Sequence, residues 1–190
     1  MIKSIRVKMA LTGFVLGLAA FSSPALAIID FQSQKPEDQL EIGYAYYTGT
    51  KGLPNNHAEA ARWFRKAADN GNLRAMNIMG VLYANGKGVP QNVTESVRWH
   101  RKTAEQGDPS GMFFLGAAYF TGDGVKQDLA EGASLIRKAA ERGNAYAMEK
   151  LGTLYQLGQG VPKNPALATM WYRKSVELGN TAAMEELRFF

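Results

Sequence analysis

The side chains best suited to proton transfer or metal ligation are two histidines, His57 and His100, in a 190-residue chain that contains no cysteine. A zinc-type site needs three or four Cys, His or carboxylate ligands, commonly with one pair a few residues apart. The two histidines have no such spacing, and no Ser, His and acid fall into a triad pattern. His100 follows Trp99 at a position that Phe64, Ile136 and Tyr172 hold elsewhere, so it reads as a packing residue. His57 lies one residue past a helix cap and is expected in solvent. Glu37, Glu149 and Glu185 are the only loosely placed carboxylates for acid–base work. Gly86-Lys87-Gly88 and its copies lack the preceding strand and third glycine of a phosphate-binding loop, and read as turns. Asn92-Val93-Thr94 fits a glycosylation acceptor but is equally explained as a helix cap. No catalytic residue, metal or cofactor is expected.

A further charged feature is the ladder Arg65-Lys66, Arg101-Lys102, Arg137-Lys138 and Arg173-Lys174. Cations there complement the end of a helix dipole, and Glu59–Arg62 and Glu95–Arg98 have the spacing of same-helix pairs. The ladder is expected to be a solvated outer face; the sharper alternative is an acidic partner such as an anionic envelope polymer.

These residues recur because the chain is built on a repeat, the first thing to seek in any sequence. Gly71, Gly107, Gly143 and Gly179 lie 36 residues apart, and Gly80, Gly116, Gly152 and Tyr83, Tyr119, Tyr155 keep that interval. Trp63, Trp99, Leu135 and Trp171 mark a second element. Each unit divides into a helix A and a helix B. Helix A follows a cap at Asn72, Asp108, Asn144 or Asn180, with Pro36 or Pro109 suited to a first helical position. Its core face carries Met76, Met79 and Tyr83, then Met112, Leu115 and Tyr119, then Met148, Leu151 and Tyr155. Helix B follows Asn56, Asn92, Asp128 or Asn164, with Glu59, Glu95 and Glu131 placed for a reciprocal capping box. Ala60, Ser96, Gly132 and Ala168 allow close helix approach. Four units are expected, at about 36–71, 72–107, 108–143 and 144–179, closed by a capping helix over 180–190.

Residues 1–27 read as a signal peptide: Lys3, Arg6 and Lys8, an apolar run Met9 to Phe21, and a cleavage-like Ala25-Leu26-Ala27. The apolar run falls short of the roughly 20 residues of a spanning helix, so no stable membrane insertion is expected after cleavage. Residues 28–35 form a short lead. The leader holds three bases and no acid, so cleavage after Ala27 lowers the formal net charge from +5 to +2. The basic balance is therefore no nucleic-acid footprint. An exported chain without cysteine must hold itself together by packing.

The run Ala147 to Pro162, A-M-x-x-L-G-x-L-Y-x-x-G-x-G-V-P, continues to Trp171-Tyr172-Arg173-Lys174 and closes at Gly179. This pattern resembles the Sel1-like repeat, a relative of the tetratricopeptide repeat. The resemblance implies an all-α fold, a right-handed α-solenoid of antiparallel helix pairs, and adaptor or scaffold roles. Some cysteine-rich relatives bind penicillin-like compounds; with no cysteine here, that activity is not carried over.

By analogy with tetratricopeptide stacks, the A helices line a concave face. Tyr44, Tyr47, Phe113, Phe120 and Tyr146 are large aromatics there that the repeat does not demand, accompanied by Arg74, Asn77 and Glu149. Aromatics beside arginine are typical of interface hot spots. The expected function is a periplasmic or secreted, non-catalytic module binding a partner protein segment on that face. The alternative is an envelope enzyme or enzyme inhibitor acting on peptidoglycan or its precursors. Partner identity and oligomeric state have no signal in the sequence.

Overall fold

The computed structural model describes residues 29–188; the leader expected over 1–27, residue 28 and residues 189–190 lie outside the described residues. The helices are α1 (Pro36–Thr48), α2 (His57–Asp69), α3 (Leu73–Asn85), α4 (Val93–Glu105), α5 (Pro109–Thr121), α6 (Leu129–Glu141), α7 (Ala145–Leu157), α8 (Pro165–Glu177) and α9 (Ala182–Leu187). No strand occurs among the described residues. The A helices are α1, α3, α5 and α7; the B helices are α2, α4, α6 and α8. Broad contacts all join helices consecutive in the chain, which is the nearest-neighbour logic of a repeat stack. The chain is a right-handed α-solenoid.

The starts of α2 to α8 are set by side-chain caps; α1 and α9 have none, and Thr181 rather than the expected Asn180 stands at the start of α9. Asn72, Asp108 and Asn144 accept from the third amide of α3, α5 and α7, at 2.9, 2.7 and 2.9 Å. Asn56, Asn92, Asp128 and Asn164 do the same for the B helices. The reciprocal half of the expected capping box does not form. The cap residue's own N–H instead donates to the carbonyl of Tyr46, Tyr83, Tyr119 or Tyr155, at 2.8–2.9 Å. With that amide satisfied, Glu59 and Glu95 turn to Arg62 and Arg98, at 2.7 and 3.0 Å. The turn between helices is thereby closed by backbone, tying the end of each A helix to the start of its B helix.

Within a pair, a large side chain of helix B rests on the backbone of helix A. A methyl built on Gly43 would lie 2.5 Å from the Phe64 ring, on Gly116 2.9 Å from Ile136, and on Gly152 2.8 Å from the Tyr172 ring. Gly80 stands the same way under His100. The glycine spacing read in the sequence is thus a set of seats. Phe64, Ile136 and Tyr172 are almost wholly buried there, between the Met/Leu faces of successive A helices. Between units, Gly124 at φ 72° brings its turn against the start of α4, where a methyl would meet the Val93 carbonyl at 2.6 Å. Only a residue without Cβ meets both demands, positive φ and close backbone approach.

The basic ladder lies on a mostly exposed face, as expected, and three of its arginines also pin one unit to the next. Arg65, Arg101 and Arg137 each donate to the hydroxyl of the tyrosine 18 residues on, Tyr83, Tyr119 and Tyr155. Lys66, Lys102 and Lys174 lie over Trp63, Trp99 and Trp171 at 5.0, 5.4 and 4.7 Å. At the N-terminal end, the lead folds back so that Phe31 covers Trp63, with ring centroids 5.9 Å apart. At the other end α9 is shorter than expected. Its face buries Ala183, half-buries Leu187 and leaves Met184 exposed.

Gly152→Ala tests the seat. Alanine gains up to about 1 kcal/mol in helix propensity, whereas overpacking a fitted core costs about 1–3 kcal/mol. Tyr172 cannot swing aside easily, because its hydroxyl is bonded to Gln156 and Thr153. Net destabilisation by urea unfolding is the expected result; a stabilised variant would remove the seat as the constraint.

Candidate functional site

Because successive A helices are not broadly packed on one another, side chains rather than backbone fill the space between them. Along α1, α3 and α5 that filling is incomplete and leaves a groove of about 340 Å³. Its walls are Tyr44 and Tyr47 from α1, Phe64 from α2, Arg74, Asn77, Ile78, Val81 and Leu82 from α3, and Ser110 and Phe114 from α5. Tyr44 meets Phe64 edge-on at 5.2 Å, and Tyr47 lies 4.9 Å from the His57 ring. Arg74 stands over Tyr44 at 5.2 Å and Lys87 over Tyr47 at 4.5 Å.

Past Phe114 the groove continues into a second depression of about 440 Å³, lined by Ala84, Ser96, Val97, His100 and Ala117 among others. Its cause is legible in the repeat. Ala84 holds the position of Tyr47, Phe120 and Gln156, and Ala117 that of Tyr44, Val81 and Thr153, so the smallest side chain of each set stands where the second and third units meet. In the third unit the exchange runs the other way: Phe120 lies against Gly132, whose added methyl would come 2.8 Å from the ring.

Four of the expected binding residues, Tyr44, Tyr47, Arg74 and Asn77, therefore meet in one groove. The other four do not line it. Phe113 and Phe120 are half-buried against the core of the C-terminal units. Tyr146, on α7, is 66% exposed. Glu149 accepts from Asn180 at 2.9 Å and so holds the turn leading into α9. Asn77 itself is buried, against the expectation of a free face: it donates to Asp108 at 2.7 Å and accepts from Thr103 at 2.7 Å, steadying the cap of α5. Leu40 and Phe113 occupy the same register in the other units, so this position serves junctions as well as the face.

Ile78 and Phe114 were not among the expected residues. They share a register with Glu41 and Lys150. An apolar residue in the middle units where the outer units carry charge is the signal that marks them.

The histidines do structural work. His57 is half-buried against Tyr47 rather than in solvent, because the following unit's turn closes over it: a methyl on Gly88 would strike the His57 carbonyl. His100 is buried under Gly80 and stacked on Phe114 at 4.7 Å. Burial lowers its pKa to about 4, against the opposing pull of the Asp108 carboxylate. Among the described residues no group of three or more His, Cys, Asp or Glu is placed to hold a metal ion. Glu37 is exposed on α1, and Glu185 on α9 pairs with Arg188 at 2.8 Å.

Helix pairs stacked by nearest-neighbour contacts, with a groove along one face, define an α-solenoid repeat protein. The Sel1 repeat matches residues 36–72, 73–108, 109–144 and 145–180, and the chain belongs to that family. Sel1 repeats generally mediate protein–protein interactions. The fold is similar to c5321, a protective antigen of uropathogenic Escherichia coli strains (TM-score 0.76, 36% identity, 82% of this chain and 33% of that one). It is also similar to a Sel1 repeat protein from Oxalobacter formigenes (TM-score 0.75, 34% identity, 88% of this chain and 65% of that one). A 59-residue stretch, 30% of this chain, is 41% identical to the ERAD-associated E3 ubiquitin-protein ligase component HRD3A of Arabidopsis thaliana, spanning 9% of that protein. The chain thus spans from a tenth to two thirds of these relatives.

The His100 environment has a measurable consequence. The folded chain favours the neutral ring, with a pKa of about 4, whereas the unfolded ring titrates near 6.5. Stability is therefore full above pH 6.5 and falls as pH drops toward 4. The loss across that window is about 3 kcal/mol, because each tenfold change in a protonation equilibrium is worth roughly 1.4 kcal/mol. His100→Phe, the residue at the same position in the first unit, is expected to flatten urea midpoints over that window. An unchanged pH profile would assign the acid sensitivity elsewhere.

Proposed function

We propose that the chain is an exported, non-catalytic adaptor that holds a segment of a partner protein in the groove along α1, α3 and α5. The observation that carries this is the groove itself: an open, largely apolar strip with Tyr44, Tyr47, Val81 and Phe114 on its walls and cations at its rim. Apolar and aromatic surface beside arginine is the composition of interface hot spots. Membership of a family whose repeats generally mediate protein contacts supports the same reading. Among the described residues no helix is long and apolar enough to cross a membrane.

Export rests on the leader pattern over residues 1–27. The envelope-enzyme alternative would rest on Glu37, Glu149 and Glu185, which belong to α1, α7 and α9, and no observation favours it.

Two experiments address this reading. Val81→Arg with Ser110→Tyr fills the groove from two half-buried wall positions. Capture of partners from envelope extract is expected to be lost while helical content and Tm stay near those of the parent. Undiminished capture by the folded double variant would place the binding surface elsewhere. Fractionation with N-terminal sequencing checks export: a product beginning at Ile28 outside the inner membrane is expected, and a chain that keeps its leader counts against it.

A further inference from the structure

The rim charge of the groove says what kind of segment it takes. Arg74 stands in the first turn of α3 and Lys87 just past its end, so the two cations bracket the strip of α3 that faces the groove. Both sit over tyrosine rings of α1. The ion pairs among the described residues join Lys51 to Glu41, Arg62 to Glu59, Arg98 to Glu95 and Arg188 to Glu185; neither Arg74 nor Lys87 has an acidic partner. No carboxylate lines the first depression, and Asp123 is among the residues lining the second. A basic segment would be repelled by these two exposed cations, and a neutral one would leave them without a charge partner. A segment with acidic side chains gains the charge complementarity that selects partners and speeds encounter.

The floor adds a second requirement. Phe114 stands between an apolar depression and a mixed one, where Val93, Val97 and Ala117 lie beside Asn85, Gln91, Thr121 and Asp123, and its ring is held by its stack on His100. Each depression can receive a large apolar side chain, and neither is filled from within the chain. Resting on the adaptor reading above, we propose that the groove binds a linear acidic–apolar protein segment. Its carboxylates meet Arg74 and Lys87, and one large apolar side chain enters on each side of Phe114.

A phage-displayed random heptapeptide library selected on the full chain tests this, with a selected peptide then synthesised, labelled and titrated by fluorescence anisotropy. Enriched sequences are expected to carry Asp or Glu within a few residues of Leu, Ile, Phe or Trp. Arg74→Glu with Lys87→Glu, both at exposed positions, is expected to weaken binding by at least about tenfold. Replacing the peptide's acids with lysine should restore binding to that variant. Raising salt from roughly 50 mM to roughly 500 mM should weaken the native complex, since exposed charges are screened. Neutral or basic peptides that bind native and charge-reversed chains alike, yet are blocked by Val81→Arg, overturn the acidic requirement and leave the adaptor reading standing. Peptides indifferent to Val81→Arg sit elsewhere and overturn both. Failure to enrich any sequence overturns the linear-segment form of the proposal.

Discussion

Everything in this molecule depends on how closely helix B can lie on helix A. Phe64, His100, Ile136 and Tyr172 each rest on a helical glycine, where a methyl group would stand within 3 Å of the ring or branch. That contact sets the separation of the two helices in every unit. It also buries the seated side chain between successive A helices, so the geometry within a pair and the geometry between pairs share one residue. A glycine inside a helix costs about 1 kcal/mol against alanine, and here the close approach it permits outweighs that cost.

With this spacing set, the remaining contacts act as ties. The cap residue's amide bonded to a tyrosine carbonyl closes each A–B turn. The arginine-to-tyrosine bonds join one unit to the next, and the tryptophan series is covered by lysine and, at the start of the stack, by Phe31 as well. Most of these ties are partly exposed, and exposed pairs contribute little individually. They align units whose cohesion comes from the buried Met, Leu and Ala faces.

The groove exists because the units are not identical. Where a ring packs down on that side of an A helix, as Phe120 does against Gly132, the space is filled. Where the same position holds Ala84, a depression opens that Ala117 also lines. The groove is therefore written in departures from the repeat, on a scaffold that the repeat itself maintains. His100 belongs to both: it fills a seat in the second unit and backs the Phe114 ring that divides the groove. The burial that depresses its pKa also leaves its Nδ1 without a hydrogen-bond partner among the described residues.

Helix order, the start caps and the core faces were legible in the sequence by itself, because each depends on residues within one unit and recurs at a fixed interval. A cap needs only its own first turn, and an amphipathic face only its own period. What lies between units was decided by tertiary structure. Asn77 looked like a free position on an A helix, yet it is buried by a cap 31 residues away; His57 looked solvated until a neighbouring unit's turn closed over it. The glutamates placed for a capping box found their amide already taken by a tyrosine carbonyl from the preceding helix. The aromatics and the cation named in advance, Tyr44, Tyr47 and Arg74, met in one groove, while Ile78 and Phe114 joined them because neighbouring units left space around them. Periodicity reports what every unit shares; it does not report which side chains from different units face one another across a gap.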